Sequence, residues 1–142
     1  KWGLAGLLHD LDYDETADDP QRHSLVAAAE LEKLGVDPEV VYAVKVHNHV
    51  HGLPRVSRMD RALYVSDPLT GLIVAAALIL PAKKLAAVTT EFVLNRFKEK
   101  GFARGANREQ IMRCEPELGL SLAEFVTIGL SAMQQGAASI GL

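Results

Sequence analysis

Apolar residues in this chain recur at three- and four-residue spacings between glycine and proline breaks, and almost nowhere alternate with polar ones. That period belongs to helices, and a chain so patterned has few ways to build a sheet. Residues 1–9 place Trp2, Leu4, Ala5, Leu7 and Leu8 on a helix. Residues 10–21 form an acidic loop closed by Pro20. Residues 22–34 are strong helix formers ended by Gly35. Asp37-Pro38 reads as N-cap and first helical position of a helix reaching about residue 49. The neighbouring valines 40, 41 and 44 are the one hint of a strand, and the cap at Asp37 favours helix.

Gly52 and Pro54 break that element. A helix is expected over 57–66, a junction at Asp67-Pro68, and an apolar core helix over 69–80 closed by Pro81. An amphipathic helix is expected over 82–100. Asn107 with Gln110, and Ser121 with Glu124, carry the capping-box spacing, the second opening a last helix over 121–138. The expected fold is an all-α domain of six to eight helices spanning 1–142, with neither repeat nor linker.

Composition narrows the class of function. With 49% apolar and 23% charged residues, the chain is neither disordered nor unusual for a globular protein. At 142 residues it is long enough to bury roughly 68–70% of its unfolded surface. A net charge of −3 gives no basic footprint for a stable nucleic-acid partner or an anionic membrane, and eight aromatic residues are too few for a base-stacking platform. The longest apolar run, 69–80, falls short of the roughly 20 residues of a membrane span. The single Cys114 has no internal disulfide partner, so a reducing, cytoplasmic setting is expected and a nucleophilic role is not.

The histidines are distributed unevenly. All five lie within the first 51 residues. His9 and Asp10 stand where an apolar helix ends, His23 opens the next helix, and His47, His49 and His51 lie near the end of a third. Asp67 follows another apolar run. Imidazole and carboxylate together suit Fe, Mn, Zn, Ni and Co, and groups from several helices converge in a bundle interior. An adjacent His-Asp pair at a frayed helix end can turn both side chains toward one ion, whereas within a helix they diverge by about 100°. His49 faces away from its neighbours and reads as a surface residue, and His51 is balanced between surface and site. Asp67 also suits an N-cap before Pro68. Asp12, Asp14, Glu15, Asp18 and Asp19 read as a solvated acidic loop, one of them at most helping to hold a second ion or a water.

In their order, LAGLLHDLDYD, RHS, VKVHNHVHG and ALYVSDPLTG resemble the HD superfamily of metal-dependent phosphohydrolases over residues 3 to about 80. The resemblance implies an HD-type helical bundle with a metal-site core at 1–80 and C-terminal helices at 82–142. It implies one or two divalent ions (Fe, Mn, Zn, Ni, Co or Mg) on His9, Asp10, His23, His47 and Asp67, with Asp10, His23 and His47 nearest the chemistry. The family also has a ligating His on an earlier helix, and none of the eight residues before His9 is a His. Together with the non-methionine start, this raises the expectation that a native helix precedes Lys1.

The implied substrate is a nucleotide or other small phosphorylated molecule, attacked by metal-activated water. Lys45, Arg55 and Arg58 are the expected phosphate contacts, Arg55 foremost. The basic stretch Arg96, Lys98, Lys100, Arg104 and Arg108 is expected to be a solvated face. The segment from His47 to ALYVSD is also similar to HD enzymes that cleave diadenosine tetraphosphate, although Pro68-Leu69-Thr70-Gly71 departs from them. A metal-binding or ligand-sensing module without turnover is the rival class. The last helix, with Phe125, Val126, Ile128, Leu130 and Met133, suits either internal packing or a homodimer contact.

Overall fold

A computed structural model describes residues 1–142 and contains no strand. Eight helices of five or more residues, one four-residue turn of helix and three 3-10 turns make up the chain, as the spacing expects. The α-helical elements are α1 (Trp2–Leu8), α2 (Tyr13–Thr16), α3 (Leu25–Lys33), α4 (Pro38–His47), α5 (Arg58–Leu78), α6 (Thr90–Lys98), α7 (Arg108–Met112), α8 (Cys114–Leu118) and α9 (Leu122–Gln135). They fall into two compact units, Lys1–Tyr64 and Val65–Leu142, whose boundary lies inside α5.

In the first unit α4 is the central element. Asp37 caps it by accepting the Glu39 N–H at 3.0 Å, and Pro38 occupies the position whose missing N–H costs nothing. One face packs Val41 and Val44 against Ala27, Ala28 and Leu31 of α3, with Leu8 and Val36 at the edge. The other packs Val40 and Ala43 against Ala5 of α1 and Met59 of α5. A helix covered on two sides must be apolar nearly all round, which is why its valines at 40, 41, 44 and 46 mimic a strand. Only Ala5 of α1 is buried; Trp2, Leu4 and Leu7 are exposed.

Two boundaries differ from expectation. The Asp67-Pro68 junction does not exist as a break, because α5 runs continuously for 21 residues with Pro68 inside it. The stripe Val65, Leu69, Leu72, Ile73, Ala76 and Ala77 is buried along one side, and this packing outweighs the intrahelical hydrogen bond that Pro68, having no N–H, cannot donate. Its first turn is fixed by Ser57 and buried Asp60: Asp60 Oδ2 accepts from the Ser57 and Val56 N–H groups, and Ser57 Oγ from the Asp60 N–H. By length and composition α5 is also the one helix able to cross a membrane.

The expected helix over 82–100 is shorter. Residues 85–87 form a 3-10 turn, Val88 is extended and buried, and α6 begins where Thr89 accepts the Phe92 N–H at 3.1 Å. In this second unit Gly129 of α9 lies against Leu69 and Ile73 of α5, so that a Cβ there would stand 3.0 Å from Leu69 Cδ2. Phe125, Val126 and Leu130 of α9 are buried, whereas Ile128 is exposed. The capping box of Ser121 and Glu124 is formed in both directions. Cys114 is buried, which pushes its thiol pKa up.

Candidate metal centre

The chain leaves α1 at His9 and Asp10, and both side chains turn to the same place. His9 Nε2 lies 3.3 Å from Asp10 Oδ2. The second oxygen, Oδ1, lies 3.4 Å from His23 Nε2 and 3.6 Å from His47 Nε2. His23 comes from the turn before α3 and His47 from the last turn of α4. The rings stand edge to face, His9 on His47 and His23 on His47, each pair with centroids 5.1 Å apart. Four of the sequence-expected ligands therefore meet within the first unit. Asp67 lies in the second unit, on the α5 continuation, three residues past Tyr64.

The other nitrogen of each ring is already engaged. His9 Nδ1 donates to the Gly6 carbonyl at 2.8 Å and His47 Nδ1 to the Val44 carbonyl at 2.6 Å. His23 Nδ1 donates to Asp12 Oδ1 at 2.9 Å. With the neutral ring's proton on Nδ1, each Nε2 offers a lone pair, here toward a carboxylate. Lone pairs facing carboxylate oxygens at 3.3–3.6 Å repel unless a proton or a cation lies among them. Two ligand atoms each about 2.1 Å from one ion at a tetrahedral angle stand ~3.4 Å apart, so the spacing suits an ion. Asp10, His23 and His47 also have ligand atoms mutually within 4.8 Å. Imidazole nitrogens with a carboxylate fit borderline divalent metals, and Nδ1 held by carbonyl or carboxylate is the usual support for a ligating histidine. When the rings carry their second proton, that on His47 foremost holds the Asp10 carboxyl below its ordinary value against the opposing effect of burial.

The loop does not behave uniformly. Asp14, Glu15 and Asp18 are exposed as expected, but Asp12 is only 4% exposed. The expectation of a solvated Asp12 is corrected: its carboxylate accepts from His23 and from the Ala27 N–H at 2.8 Å, at the start of α3. The residues around His23 are similarly fixed. Buried Ser24 adopts φ +70°, a left-handed conformation uncommon outside glycine, and its hydroxyl donates to the Lys45 carbonyl at 2.9 Å. Asn48 Nδ2 donates to the carbonyls of Pro20 and His23 at 2.8 and 3.1 Å, and His51 Nε2 to that of His23 at 2.8 Å. His51 thus tethers the loop, while His49 is exposed. Asn48, Ser24 and Thr16 carry no sequence signal as site residues. Asp12 carries a faint one, two places after Asp10 on the same loop.

The expected phosphate contacts are more dispersed. Arg55 stacks over the Tyr64 ring at 3.7 Å, and Arg58 is exposed. Lys45 lines a surface cavity of about 560 Å³ with Glu32, Gly35, Val36, Pro38, Val41 and Tyr42, none of them a candidate ligand. In the basic stretch Arg108 is not solvated: its guanidinium donates to the carbonyls of Phe97, Phe102, Ala103 and Ala106 and ties that loop together. No known protein family, characterised protein or solved structure matches the chain.

Proposed function

We propose that the chain is a metal-dependent hydrolase of the HD type, acting on a nucleotide or other small phosphorylated molecule. One observation carries the reading: the Nε2 atoms of His9, His23 and His47 converge on the Asp10 carboxylate while their Nδ1 protons are held elsewhere. In the proposal these four residues hold a divalent ion, with Asp67 as the further ligand that the resemblance implies. Bound there, a divalent ion supplies a water acidic enough to be hydroxide near neutral pH. Asp10 contributes negative charge at the centre and a carboxylate able to take a proton from a neighbouring water. The imidazoles stay oriented, with Nε2 toward Asp10, because their Nδ1 protons have fixed acceptors. Arg55 and Arg58 supply cationic contacts at the phosphate end. A cytoplasmic setting without membrane attachment belongs to the same reading.

The experiment is elemental analysis of the purified chain beside a panel of nucleotides, diadenosine tetraphosphate and a generic phosphodiester. At least one transition metal per chain is expected, and Asp10→Ala and His47→Ala lose metal and hydrolysis together. A chain that takes up neither Mn nor Fe overturns the reading, as does undiminished hydrolysis by both variants. Metal binding without turnover on the whole panel supports the second reading, a ligand-sensing module. Two observations favour that second reading: Arg55 is stacked on Tyr64, and Lys45 lines a cavity with no candidate ligand in its walls.

A further inference from the structure

We infer that Asp12 is a positioning residue that fixes the His23 proton on Nδ1, leaving the Nε2 lone pair to face Asp10. The purpose of this device rests on the metal reading above; its geometry does not. The His23 Nδ1 atom meets only acceptors. Asp12 Oδ1 lies at 2.9 Å and Thr16 Oγ1 at 3.3 Å. The Thr16 hydroxyl spends its own proton on the Asp12 carbonyl at 2.7 Å, so it faces His23 with a lone pair. The other Asp12 oxygen accepts from the Ala27 N–H at 2.8 Å, a main-chain donor with no alternative proton position. Asp12, Thr16 and Ala27 are all buried, so water does not substitute for any of these partners.

An Asp12→Asn substitution tests this because it keeps size and shape while removing the charge and changing the donor pattern, and of these the donor pattern sets the tautomer. The amide has one oxygen where the carboxylate had two. If that oxygen serves the Ala27 N–H, the NH₂ group faces His23 Nδ1, which must then accept. The ring proton moves to Nε2, the atom that faces Asp10. The reverse orientation sets two buried donors against each other at Ala27, which costs more than a tautomer change. An Asp-to-Asn change beside a functional histidine acts through the wrong tautomer in the same way.

The measurement is a two-bond proton–nitrogen correlation spectrum of the metal-free full chain, at a pH where the rings are neutral, followed by Mn and Co titration of each form. Wild-type His23 is expected as the Nδ1–H tautomer. Asp12→Asn is expected to show Nε2–H at His23, unchanged tautomers at His9 and His47, and a metal affinity reduced about 10- to 100-fold. An Nε2–H tautomer in the wild type overturns the proposal whether or not the variant folds. So does an Asp12→Asn chain that keeps Nδ1–H or binds metal as tightly as the wild type. If the wild type takes up no metal but the tautomer still switches, the function reading fails and the Asp12 assignment stands.

Discussion

At the scale of single residues, the three histidines differ in what supports them. His9 and His47 lean on carbonyls of their own helices, Gly6 and Val44, each three residues back. His23 stands in a turn and depends on Asp12, on the tethers from Asn48 and His51, and on the left-handed Ser24. Substitution outcomes follow from that difference. Asp10→Ala removes the group on which all three rings converge and should abolish stoichiometric metal uptake, whereas exposed His49→Ala should leave it within twofold; equal loss in both variants contradicts the centre. Asn48→Ala removes the side-chain donor to the Pro20 carbonyl and one of two donors to the His23 carbonyl, His51 being the other, and should cost about 1 kcal/mol. Denaturant unfolding checks it. The four converging residues were legible in the sequence because His-Asp at a helix end and a later helical His are specific types at specific places. Asn48, Thr16 and Ser24 were not, because supporting hydrogen bonds are made by common residues across 7 to 28 positions of chain.

The elements were legible where local chemistry decides them. Asp37-Pro38 and the Ser121–Glu124 box sit where capping residues should, and α4 and α9 start there. The misread boundaries have opposite causes. Thr89 is a local cap overlooked beneath a longer amphipathic pattern, and Thr89→Ala should cost about 1 kcal/mol. Pro68 is a local breaker overruled by burial of the α5 stripe, which no local pattern reports. The Ser121 hydroxyl and N–H hold the Glu124 carboxyl below its ordinary value of 4.5. A depressed carboxyl contributes stability that is full above its unfolded-state value and lost as pH falls through its folded-state one. The stability gap between the wild type and Glu124→Gln should therefore be open at neutral pH and close as the pH drops through and below 4.5. A gap that widens on acidification excludes the cap as its source. Helix packing offers a sharper test: Gly129→Leu places a branched side chain against buried Leu69 and Ile73 and should cost more than about 2 kcal/mol, read by thermal unfolding.

For the molecule as a whole, the converging residues couple metal binding to folding. His9 and Asp10 lie just past α1, His23 just before α3 and His47 at the end of α4, so the ligand set exists only when these helices are packed. The apolar cores that pack them, on the two faces of α4, were readable as helical periods; their convergence on Asp10 was not, since it depends on how three helices end in space. A ligand that binds the folded chain alone stabilises it by RT ln(1 + [L]/Kd), about 2.7 kcal/mol at a hundredfold excess over Kd. Saturating Mn or Co should thus raise the unfolding midpoint of the wild type by several degrees and leave that of Asp10→Ala unmoved. The pH dependence has a definite sign. An imidazole nitrogen binds metal only when it carries no proton, so protons displace the ion as pH falls. Metal-induced stabilisation should therefore be greatest at mildly alkaline pH and fade on acidification. A metal shift that persists unchanged at pH 5 places the ion on carboxylates elsewhere, and an equal shift in Asp10→Ala does the same.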